Sequence, residues 1–357
     1  MTEQVLKPVA IVSSPLFQNH NTGRHVESPA RAEAVHRLSL ELLANHPQKF
    51  THLEPLQASP ERIETVHSAQ YVRQIERICE RGGGALDLNT TVSTRSYETA
   101  LYAAGGLLKG VESVINGEAA AAFALVRPPG HHAVPKNSLG FCLFNNVAIA
   151  ARYLLEDCGL ERILIVDWDV HHGNGTQDIF YNDPRVLFFS THQYPLYPGT
   201  GSLNETGQDR GKGFNCNLPL PAGCGDAVIE RAFDSLLEPL VERFKPEFIL
   251  VSAGYDAHWR DPIARLTLTA AGYANLTRRV QAWASTFCQG RMALTLEGGY
   301  DLLALESSVK ATLLTLAGSS REEVLHDDTA GTGPEGYSPE TQPLRDLLSE
   351  ARKIHQV

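Results

Sequence analysis

Apolar and polar positions alternate in blocks along this chain, and the alternation predicts strands followed by helices. Between Ala120 and Leu316, short apolar runs lead into polar loops and then into segments whose apolar positions recur three and four apart. Short apolar runs are typical of buried strands, and the three-and-four spacing is typical of amphipathic helices. Repeated strand–helix alternation predicts an α/β fold: a single open, mostly parallel sheet with helices on both faces.

The same pattern predicts element boundaries within one domain, residues 1–357, with a core at about 9–316 and a C-terminal tail. Strands are expected from Val9 to Ser14 and from Val186 to Ser190. Helices are expected from Pro29 to Asn45, Ser59 to Gly82, Ser96 to Gly117, Phe144 to Asp157, Asp226 to Phe244, Thr269 to Phe287, Leu303 to Leu316 and Leu344 to Ile354. Long loops are expected from Gly83 to Ser96, Gln193 to Cys216 and Thr329 to Gln342.

Four further apolar runs are each followed by a polar loop that carries ionisable or aromatic side chains. They are Ala120 to His132, Arg162 to Gly175, Glu247 to His258 and Arg291 to Asp301. The carboxyl ends of parallel strands gather at one edge of an open sheet, and ligands bind in the crevice outside them. The four loops are therefore expected to form one site, whose residue types are those of a metal-dependent hydrolase.

Composition and charge indicate neither a nucleic-acid partner nor a membrane partner. Hydrophobic residues make up 43% of the 357 residues, and the formal net charge is −10, which argues against general binding to nucleic acids or anionic membranes. No apolar stretch approaches the roughly 20 residues of a membrane span, and the N-terminus does not resemble a signal peptide. The six cysteines are scattered without a C-x-x-C pair, as expected for a reduced, cytoplasmic protein.

The segment Asp167-Trp168-Asp169-Val170-His171-His172 is the strongest candidate for a metal site. Side chains alternate across a strand, so Asp167, Asp169 and His171 are expected on one face. Aspartates on an otherwise apolar strand are tolerated when they are paired or metal-bound. Asp169 and His171 offer the carboxylate and imidazole that Zn²⁺ accepts, whereas a lone D-x-H would more often be a loop cap beside exposed histidines.

Two other loops supply candidates for the same site. Asp256 follows a buried strand and is a natural third ligand, and a three-residue set leaves an open position, as catalytic zinc requires. His131 and His132 follow Pro128-Pro129-Gly130, a rigid turn, and could divide general-base and electrostatic work. In isolation, Asp256 would more often cap a helix, and a surface histidine pair would be about as common as a functional one.

The fourth loop contains Gly298-Gly299-Tyr300, where glycine allows the backbone to approach a ligand and Tyr300 could donate a hydrogen bond to an oxyanion. Alone, this motif is weak, because a tyrosine in a turn usually serves packing. Other catalytic patterns are absent from the sequence: it contains no H-E-x-x-H, no G-x-S-x-G, no P-loop and no dinucleotide fingerprint. Zincin-type, serine-hydrolase and nucleotide-dependent chemistry are thereby disfavoured.

Together these motifs resemble the histone deacetylase superfamily, which includes bacterial acetoin-utilisation proteins and acetylpolyamine amidohydrolases. RPPGHHA, GFCLFNN, DWDVHHGNGT, YPGTG, SAGYDAH and EGGY occur in the family's order over roughly Val9 to Leu316. RPPGHHA and HHGNGT are most similar to the class II branch, of which bacterial members are common. The resemblance implies an arginase/deacetylase-like fold and zinc-dependent hydrolysis of the amide of acetyl-lysine, or of a related N-acyl amine, to acetate and free amine.

The resemblance also assigns roles to residues. It implies one zinc ion held by Asp169, His171 and Asp256. His132 would be general base and acid, and His131 would supply electrostatic support.

Three more residues complete the implied catalytic set. Asp167 would pair with His131, and Tyr300 would polarise the amide carbonyl. Asn174 stands where class I members have an aspartate, which would make the surroundings of His132 less negative. Some class II members have histidine at the position of Tyr300 and deacetylate poorly, so Tyr300 favours an active enzyme.

Structural potassium or sodium ions are also implied. The inner site would use Asp167, Asp169, His171, Ser190 and Thr191. The outer site would use mainly the backbone carbonyls of Phe180, Asp183, Val186 and Phe214.

Substrate contacts are the least constrained part of the resemblance. The residues expected to contact substrate are Gly140, Phe141, Tyr197, Ile263, Gly298 and Asp87. Tyr197 stands where many members have phenylalanine. Polyamine specialists carry an acidic residue at the rim where this chain has Ile263, which favours an acetylated lysine peptide or protein over a small N-acetyl amine.

Three alternatives remain beside this interpretation: an acetylpolyamine amidohydrolase, an arginase-like ureohydrolase and a non-catalytic or regulatory metal-binding protein. The single D-x-H with one further aspartate argues against the two-manganese site of ureohydrolases, and the complete set of catalytic residues argues against a non-catalytic protein. The sequence does not give the oligomeric state. Gln193 to Cys216 and the polar stretch Gln18 to Ser28 are candidates for a homo-oligomer interface over the mouth of the acyl-lysine tunnel that the resemblance implies.

Overall fold

The architecture is an eight-stranded parallel sheet in a computed structural model that describes residues 7–325, 333–334 and 336–357. The strands are β1 Val9–Val12, β2 Phe50–Leu53, β3 Gly83–Ala85, β4 Thr91–Ser93, β5 Ala121–Ala124, β6 Ile163–Asp167, β7 Val186–Gln193, β8 Asn215–Leu220, β9 Phe248–Ala253 and β10 Met292–Leu296. Strands β3 and β4 form a separate antiparallel hairpin, and the other eight form the sheet. The expected open, parallel α/β sheet is confirmed.

Helices surround this sheet. They are α1 Pro29–Asn45, α2 Pro60–Glu64, α3 Ala69–Glu80, α4 Ser96–Ile115, α5 Asn146–Glu156, α6 Asn174–Phe180, α7 Asp226–Ala232, α8 Glu238–Phe244, α9 Ala270–Phe287, α10 Leu302–Leu316, α11 Arg321–Leu325 and α12 Gln342–His355. A π-helical turn, Phe233–Leu237, joins α7 to α8. None of the helices in the described ranges is both long and apolar enough to cross a bilayer.

The strand order places the chemically distinctive segments side by side. The order across the sheet is β2-β1-β5-β10-β9-β6-β7-β8, so β5, β10, β9 and β6 are consecutive neighbours at its centre. All of their pairings are parallel, and their carboxyl ends therefore share one edge. The four polar loops predicted to form a site follow these four strands.

Side-chain alternation along the central strands builds the two layers of the core. Leu164 and Val166 of β6 pack in one hydrophobic cluster with residues of α1, α7 to α10 and α12. Ile163 and Ile165 pack in a second cluster, on the opposite face, with residues of α3, α4 and α5. Because both faces are covered, the central strands are apolar on both sides.

The structure differs from the predicted elements at several places. The segment from Ser59 to Gly82 is two helices instead of one, because Ser68 starts α3 by accepting a hydrogen bond from the Tyr71 N–H. The predicted loop from Gly83 to Ser96 contains the β3–β4 hairpin. The strands β2 and β8 were missed: both are edge strands, where polar residues and proline are tolerated.

The C-terminal tail is partly anchored to the core. Helix α12 covers the predicted helix from Leu344 to Ile354, and Leu344, Leu348 and Ala351 are buried in the first hydrophobic cluster. In the predicted loop from Thr329 to Gln342, residues 329–332 and 335 lie outside the described part of the chain.

Candidate active site

The candidate ligands of β6 lie at and just beyond the end of that strand. The strand ends at Asp167, but the alternation of side chains continues past it. Val166, Trp168 and Val170 all pack in the first hydrophobic cluster. Asp167, Asp169 and His171 consequently point the other way, into the crevice at the carboxyl edge, where each is buried.

Asp169, His171 and Asp256 come together as a compact group. One potential ligand atom from each lies within 4.8 Å of the others, and all three residues are buried. His171 Nδ1 lies 3.1 Å from Asp169 Oδ1 and 3.2 Å from Asp256 Oδ2. Backbone groups fix the carboxylates, since the Val170 N–H donates to Asp256 Oδ1 at 2.9 Å and the His171 N–H donates to Asp169 Oδ1 at 2.9 Å.

The electrostatics of this group favour a cation at its centre. Burial alone would lower the pKa of His171, but the adjacent Asp169 and Asp256 outweigh it and raise the pKa to about 10. Asp256 Oδ2 is buried and accepts no hydrogen bond from any residue that the structure describes. A buried carboxylate oxygen without a donor is costly unless a cation pairs with it. Two carboxylates and one imidazole therefore fit a divalent metal such as zinc.

Gly298 is placed against the ligand carboxylates. Its N–H donates to Asp169 Oδ2 at 2.8 Å. A Cβ atom added at this position would lie 2.0 Å from Asp256 Oδ2 and 2.7 Å from Asp169 Oδ2. Only glycine fits here, so Gly298 supports the ligands; a contact with substrate stays a prediction.

His131 is paired with a carboxylate. Its Nδ1–H donates to Asp167 Oδ2 at 2.9 Å, and its Nε2 lies 3.8 Å from Asp169 Oδ1. Burial opposes a charge on the ring, but Asp167 and Asp169 overcome it and raise the pKa of His131 to about 10. Asp167 and Asp169 therefore favour the protonated, positively charged form of the His131 imidazole.

His132, the next residue, has a neutral partner. Its Nδ1 lies 2.7 Å from Asn174 Oδ1, which can only accept, so the proton is on Nδ1 and Nε2 keeps a lone pair. Burial, reinforced by the charges of His131 and His171, holds the pKa of His132 well below its usual value. The centroids of the His131 and His132 rings are 4.0 Å apart. The site thus presents a neutral base beside a cationic imidazole.

Sequence analysis missed the residues that hold this loop and the Tyr300 loop in place. Glu297 is buried, and its Oε2 accepts the N–H groups of Gly130 at 2.6 Å and His131 at 3.2 Å. Arg31 is also buried and donates to the carbonyls of Glu297 and Gly299, each at 2.6 Å. A glutamate at the end of the apolar run Met292–Leu296 was the available signal for the first; nothing local marked Arg31.

A cavity of about 220 Å³ opens onto His132, His171 and Tyr300. Its remaining lining residues are Asn89, Gly140, Phe141, Leu196, Tyr197 and Ile263. Gly140, Phe141, Tyr197 and Ile263 were predicted to contact substrate, whereas Asn89 and Leu196 were not. The walls are mostly apolar and aromatic, so they suit an aliphatic chain.

The Gly140-Phe141 turn is specialised for this cavity. A Cβ atom on Gly140 would lie 2.3 Å from His132 Cδ2 and 2.9 Å from Tyr197 Cε1. Phe141 has a φ of 70°, a left-handed conformation that is rare for an aromatic residue. Such outliers concentrate at functional sites, and here the conformation turns the Phe141 ring to within 5.9 Å of the Tyr300 ring.

Tyr300 lines the same cavity as His132 and His171. Its backbone N–H donates to Asp261 Oδ2 at 2.8 Å, and the Arg31 guanidinium lies 5.0 Å from its ring centroid. Burial, together with the charge of Asp256, raises the pKa of Tyr300 well above its usual value. The hydroxyl therefore stays protonated and can donate a hydrogen bond.

The residues of the inner monovalent-cation site also lie together at this edge. Ser190 is paired with Asp167 across β6 and β7, and its Oγ lies 3.0 Å from His192 Nδ1. Thr191 Oγ1 is buried without a hydrogen-bond partner among the described residues. A buried oxygen without a partner is compatible with a bound cation, and the inner site stays a prediction.

The predicted outer site shows carbonyls that are already engaged. The carbonyls of Phe180, Asp183 and Phe214 accept the N–H groups of Asp183 at 2.9 Å, Val186 at 3.3 Å and Phe188 at 2.9 Å. A carbonyl oxygen has a second lone pair, so these bonds leave the outer cation site a prediction.

Asp87 lies outside the residues that line the cavity. Its Oδ1 accepts the N–H groups of Asn89 at 2.7 Å and Thr90 at 2.8 Å and so shapes the hairpin tip, while Oδ2 is buried without a partner in the described ranges. Because Asn89 itself lines the cavity, Asp87 positions a neighbour of the substrate path. Its direct contact with substrate stays a prediction.

Comparison with known proteins agrees with this geometry. Residues 25–316 match the model of the histone deacetylase domain. A probable deacetylase of Archaeoglobus fulgidus is 44% identical over 89% of this chain and 88% of its own length. The chloroplastic histone deacetylase 14 of Arabidopsis thaliana is 40% identical over 99% of this chain and 86% of its own length.

Two further matches extend the comparison. A histone deacetylase-like amidohydrolase of Pseudomonas aeruginosa is 40% identical over 68% of this chain and 64% of its own length. The crystal structure of the HDA15 HD domain superposes with a TM-score of 0.87 at 29% identity, covering 98% of this chain and 94% of that one. The chain belongs to the histone deacetylase family.

Proposed function

We propose that this protein is a zinc-dependent deacetylase that hydrolyses the amide of acetyl-lysine in a peptide or protein, releasing acetate and the free amine. The observation that carries the proposal is the aromatic-walled cavity of about 220 Å³ that is lined by His132, His171 and Tyr300. A lysine side chain has the apolar stem that such walls bind. The acetyl group at its end would reach a base, a hydrogen-bond donor and the metal ligands together.

His132 is the proton carrier in this mechanism. Its Nδ1–H is committed to Asn174, so Nε2 is free to take a proton from the attacking water. The low pKa of the ring keeps it neutral, and therefore basic, at neutral pH. The same nitrogen then returns the proton to the leaving amine, and no other acid is needed.

Tyr300 and His131 stabilise the charge that develops. The Tyr300 hydroxyl stays protonated and donates to the carbonyl oxygen as it becomes negative. His131 carries a positive charge 4.0 Å from the His132 ring, measured between centroids, and this charge is balanced by Asp167. Because the Tyr300 hydroxyl and the His131 charge are already in place, solvent does not have to reorganise as the reaction proceeds.

Asp169, His171 and Asp256 would hold the zinc, with Gly298 bracing the carboxylates. When bound, zinc supplies Lewis-acid polarisation of the acetyl carbonyl and lowers the pKa of water. Monovalent cations at the inner and outer sites would stabilise the adjacent loops. A reducing compartment such as the cytoplasm is part of the proposal, because all six cysteines are free and five are buried.

The preference for acetyl-lysine over an acetylpolyamine rests on the rim. Ile263 lines the cavity where an acidic residue would attract a second amine of the substrate. Its N–H is fixed by Asp261 Oδ1 at 3.0 Å, which holds the apolar side chain at the mouth. A cationic tail would find no countercharge at this position.

The test compares turnover of a fluorogenic acetyl-lysine peptide with turnover of N-acetylputrescine, with metal content measured on the same sample. We expect one zinc per chain and preference for the peptide. Asp256→Asn should lose metal and activity together, whereas Tyr300→Phe should keep the metal and lose about 10²-fold or more in kcat. Zinc bound with tight hydroxamate binding but no turnover of either substrate would identify a non-catalytic protein.

Ile263→Glu tests the rim directly. The added carboxylate should improve kcat/KM for N-acetylputrescine relative to the peptide by about tenfold, the value of one favourable ion pair in a partly desolvated site. Ile263→Gln is the matched control, since it is polar and similar in size but uncharged. An unmodified protein that already prefers the polyamine would assign it to the amidohydrolase branch.

A further inference from the structure

A second cavity, of about 520 Å³, lies at the opposite edge of the sheet from the active site. It is lined by Leu187 at the start of β7 and by Phe214, directly before β8. The carboxyl end of α12 closes it through Ile354 and His355. Its volume is within the range of small-molecule sites. We call it the amino-edge cavity.

The inner wall of the amino-edge cavity is apolar. Leu187 and Leu240 are buried, and Phe214, Phe244 and Ile354 are half-buried beside them. The Phe214 and Phe244 rings pack edge to face with their centroids 5.9 Å apart. This wall suits an aliphatic or aromatic body.

The mouth of the cavity is cationic, against the trend of a chain with net charge −10. Lys212 and Arg243 are exposed lining residues, and neither forms an ion pair with any residue that the structure describes. Arg243 donates hydrogen bonds to the carbonyls of His355 at 3.0 Å and Gln356 at 3.5 Å and so offsets the partial negative charge at the end of α12. Arg162, in contrast, is already matched by Glu161 and Glu247.

His355 is the feature that points to a ligand. It is 4% exposed and lines the cavity, yet neither ring nitrogen has a hydrogen-bond partner among the described residues. Burial and the nearby charges of Arg243 and Lys212 lower its pKa to about 4, so the ring is neutral and carries one N–H. A buried, unpartnered donor is unfavourable and is rare in native structures.

We propose that the amino-edge cavity binds a small amphiphilic anion, with an apolar body against the phenylalanines and a carboxylate or phosphate head between Lys212, Arg243 and His355. An anionic head is the one ligand charge that pairs both cations and accepts the His355 N–H. The acetyl-lysine side chain proposed as substrate of the active site is, in contrast, a neutral amide. The site is therefore separate from catalysis in location and in ligand chemistry.

Calorimetric titration of the full-length protein with octanoate, octyl phosphate and octylammonium tests the proposal. We expect one binding site per chain for at least one of the two anions and none for octylammonium; the tighter anion identifies the head group. Binding should persist in the presence of a saturating hydroxamate. Displacement by the hydroxamate would place the anion at the catalytic metal and overturn the proposal.

Variants locate the site. Lys212→Ala changes an exposed residue and should weaken the anion about tenfold, as loss of one charge-assisted hydrogen bond predicts. His355→Phe keeps the buried bulk, removes both nitrogens and should weaken it similarly. Lys353→Ala is the matched control, because Lys353 lies on the same helix but lines a different cleft. Equal affinity in Lys212→Ala and the unmodified protein, or equal binding of octylammonium, would refute an anion site.

Discussion

His131 and His132 are neighbours in sequence, are equally buried and have rings 4.0 Å apart, yet the site gives them opposite protonation states. The two rings differ in the residue that accepts the hydrogen bond from Nδ1–H. His131 donates to the carboxylate of Asp167, which raises its pKa to about 10 against the effect of burial. His132 donates to the amide of Asn174, so burial and the neighbouring cations lower its pKa.

Burial alone favours the neutral form of an imidazole, and a neighbouring carboxylate is needed to favour the protonated form. His67 provides a third case away from the ligands. It is buried, its Nδ1–H donates to the Val134 carbonyl at 3.0 Å and its Nε2 accepts the Asn145 N–H at 2.9 Å. With no carboxylate partner, its pKa is lowered to about 4 by burial. The chemistry of the hydrogen-bond partner, more than the burial of the ring, therefore sets the protonation state of each histidine.

The largest expected effect comes from removing the rings separately. His132→Gln should reduce kcat/KM by about 10³-fold or more, because the general base is lost, and His131→Gln by about 10²-fold, because a supporting charge is lost. Steady-state kinetics with metal content measured on each variant checks this order. A greater loss in His131→Gln would reverse the two roles.

The next largest effect isolates the charge of His131 without removing the ring. Asp167→Asn keeps a hydrogen-bonding side chain but removes the anion, so His131 should become neutral at neutral pH and kcat should fall about 10- to 100-fold. NMR titration of the His131 ring together with kinetics measures both. Asp178→Asn makes the same change at an exposed position of α6 and should be silent; a charged His131 in Asp167→Asn would contradict the pairing.

Asn174→Asp should make the two histidines alike. A carboxylate beside His132 raises its pKa, so a larger fraction of the base is protonated at a given acidic pH. The acidic limb of the kcat/KM profile should then move to higher pH by about one unit. The pH–rate profiles of Asn174→Asp and the unmodified protein are the measurement, and superimposable acidic limbs would show that Asn174 does not tune the base.

His67→Gln has the smallest expected effect on activity. It tests, through the pH dependence of stability, whether burial without a carboxylate partner keeps a histidine neutral. The folded-state pKa of about 4 lies below the ordinary value of 6.5, so the unfolded chain binds more protons in that window. Stability is therefore fully present above pH 6.5 and is lost as pH falls towards 4. Removing the ring should reduce this slope by up to about 1.4 kcal/mol per pH unit.

Denaturant titrations at several pH values measure the slope for His67→Gln. The difference between the two proteins at pH 8 gives the contact contribution alone and serves as the internal control. An unchanged slope between pH 6.5 and 4 would mean that His67 is not held neutral by burial.

The central part of the fold could be predicted because its signals are local. Strands β5, β6, β9 and β10 are continuous apolar runs, as expected for strands covered on both faces. The edge strand β2 is only partly buried, and β8 contains Asn215, Asn217 and Pro219, so neither has that pattern. Edge positions tolerate such residues, which is why neither strand was predicted; the predicted loop from Gln193 to Cys216 runs into the first two residues of β8.

The residues of the candidate site also divide into those that a local pattern identified and those that no local pattern could identify. Asp169 and His171 were identifiable because they stand two positions apart directly after a strand, and the strand's alternation places them on one face. Glu297 and Arg31 were not identifiable, since their partners are distant in sequence: Glu297 accepts from Gly130, 167 residues away, and Arg31 donates to Gly299, 268 residues away. No local pattern reports such pairs.

The sequence by itself determined the α/β class and supplied the candidate ligands and candidate catalytic side chains, because these depend on residue type and on the period of a strand. Tertiary structure alone decided which histidine is charged, since Asp167 and Asn174 reach His131 and His132 across 36 and 42 residues. It also created the amino-edge cavity from β7, the loop before β8, α8 and α12. Protonation and cavities depend on neighbours in space, which only the packed chain supplies.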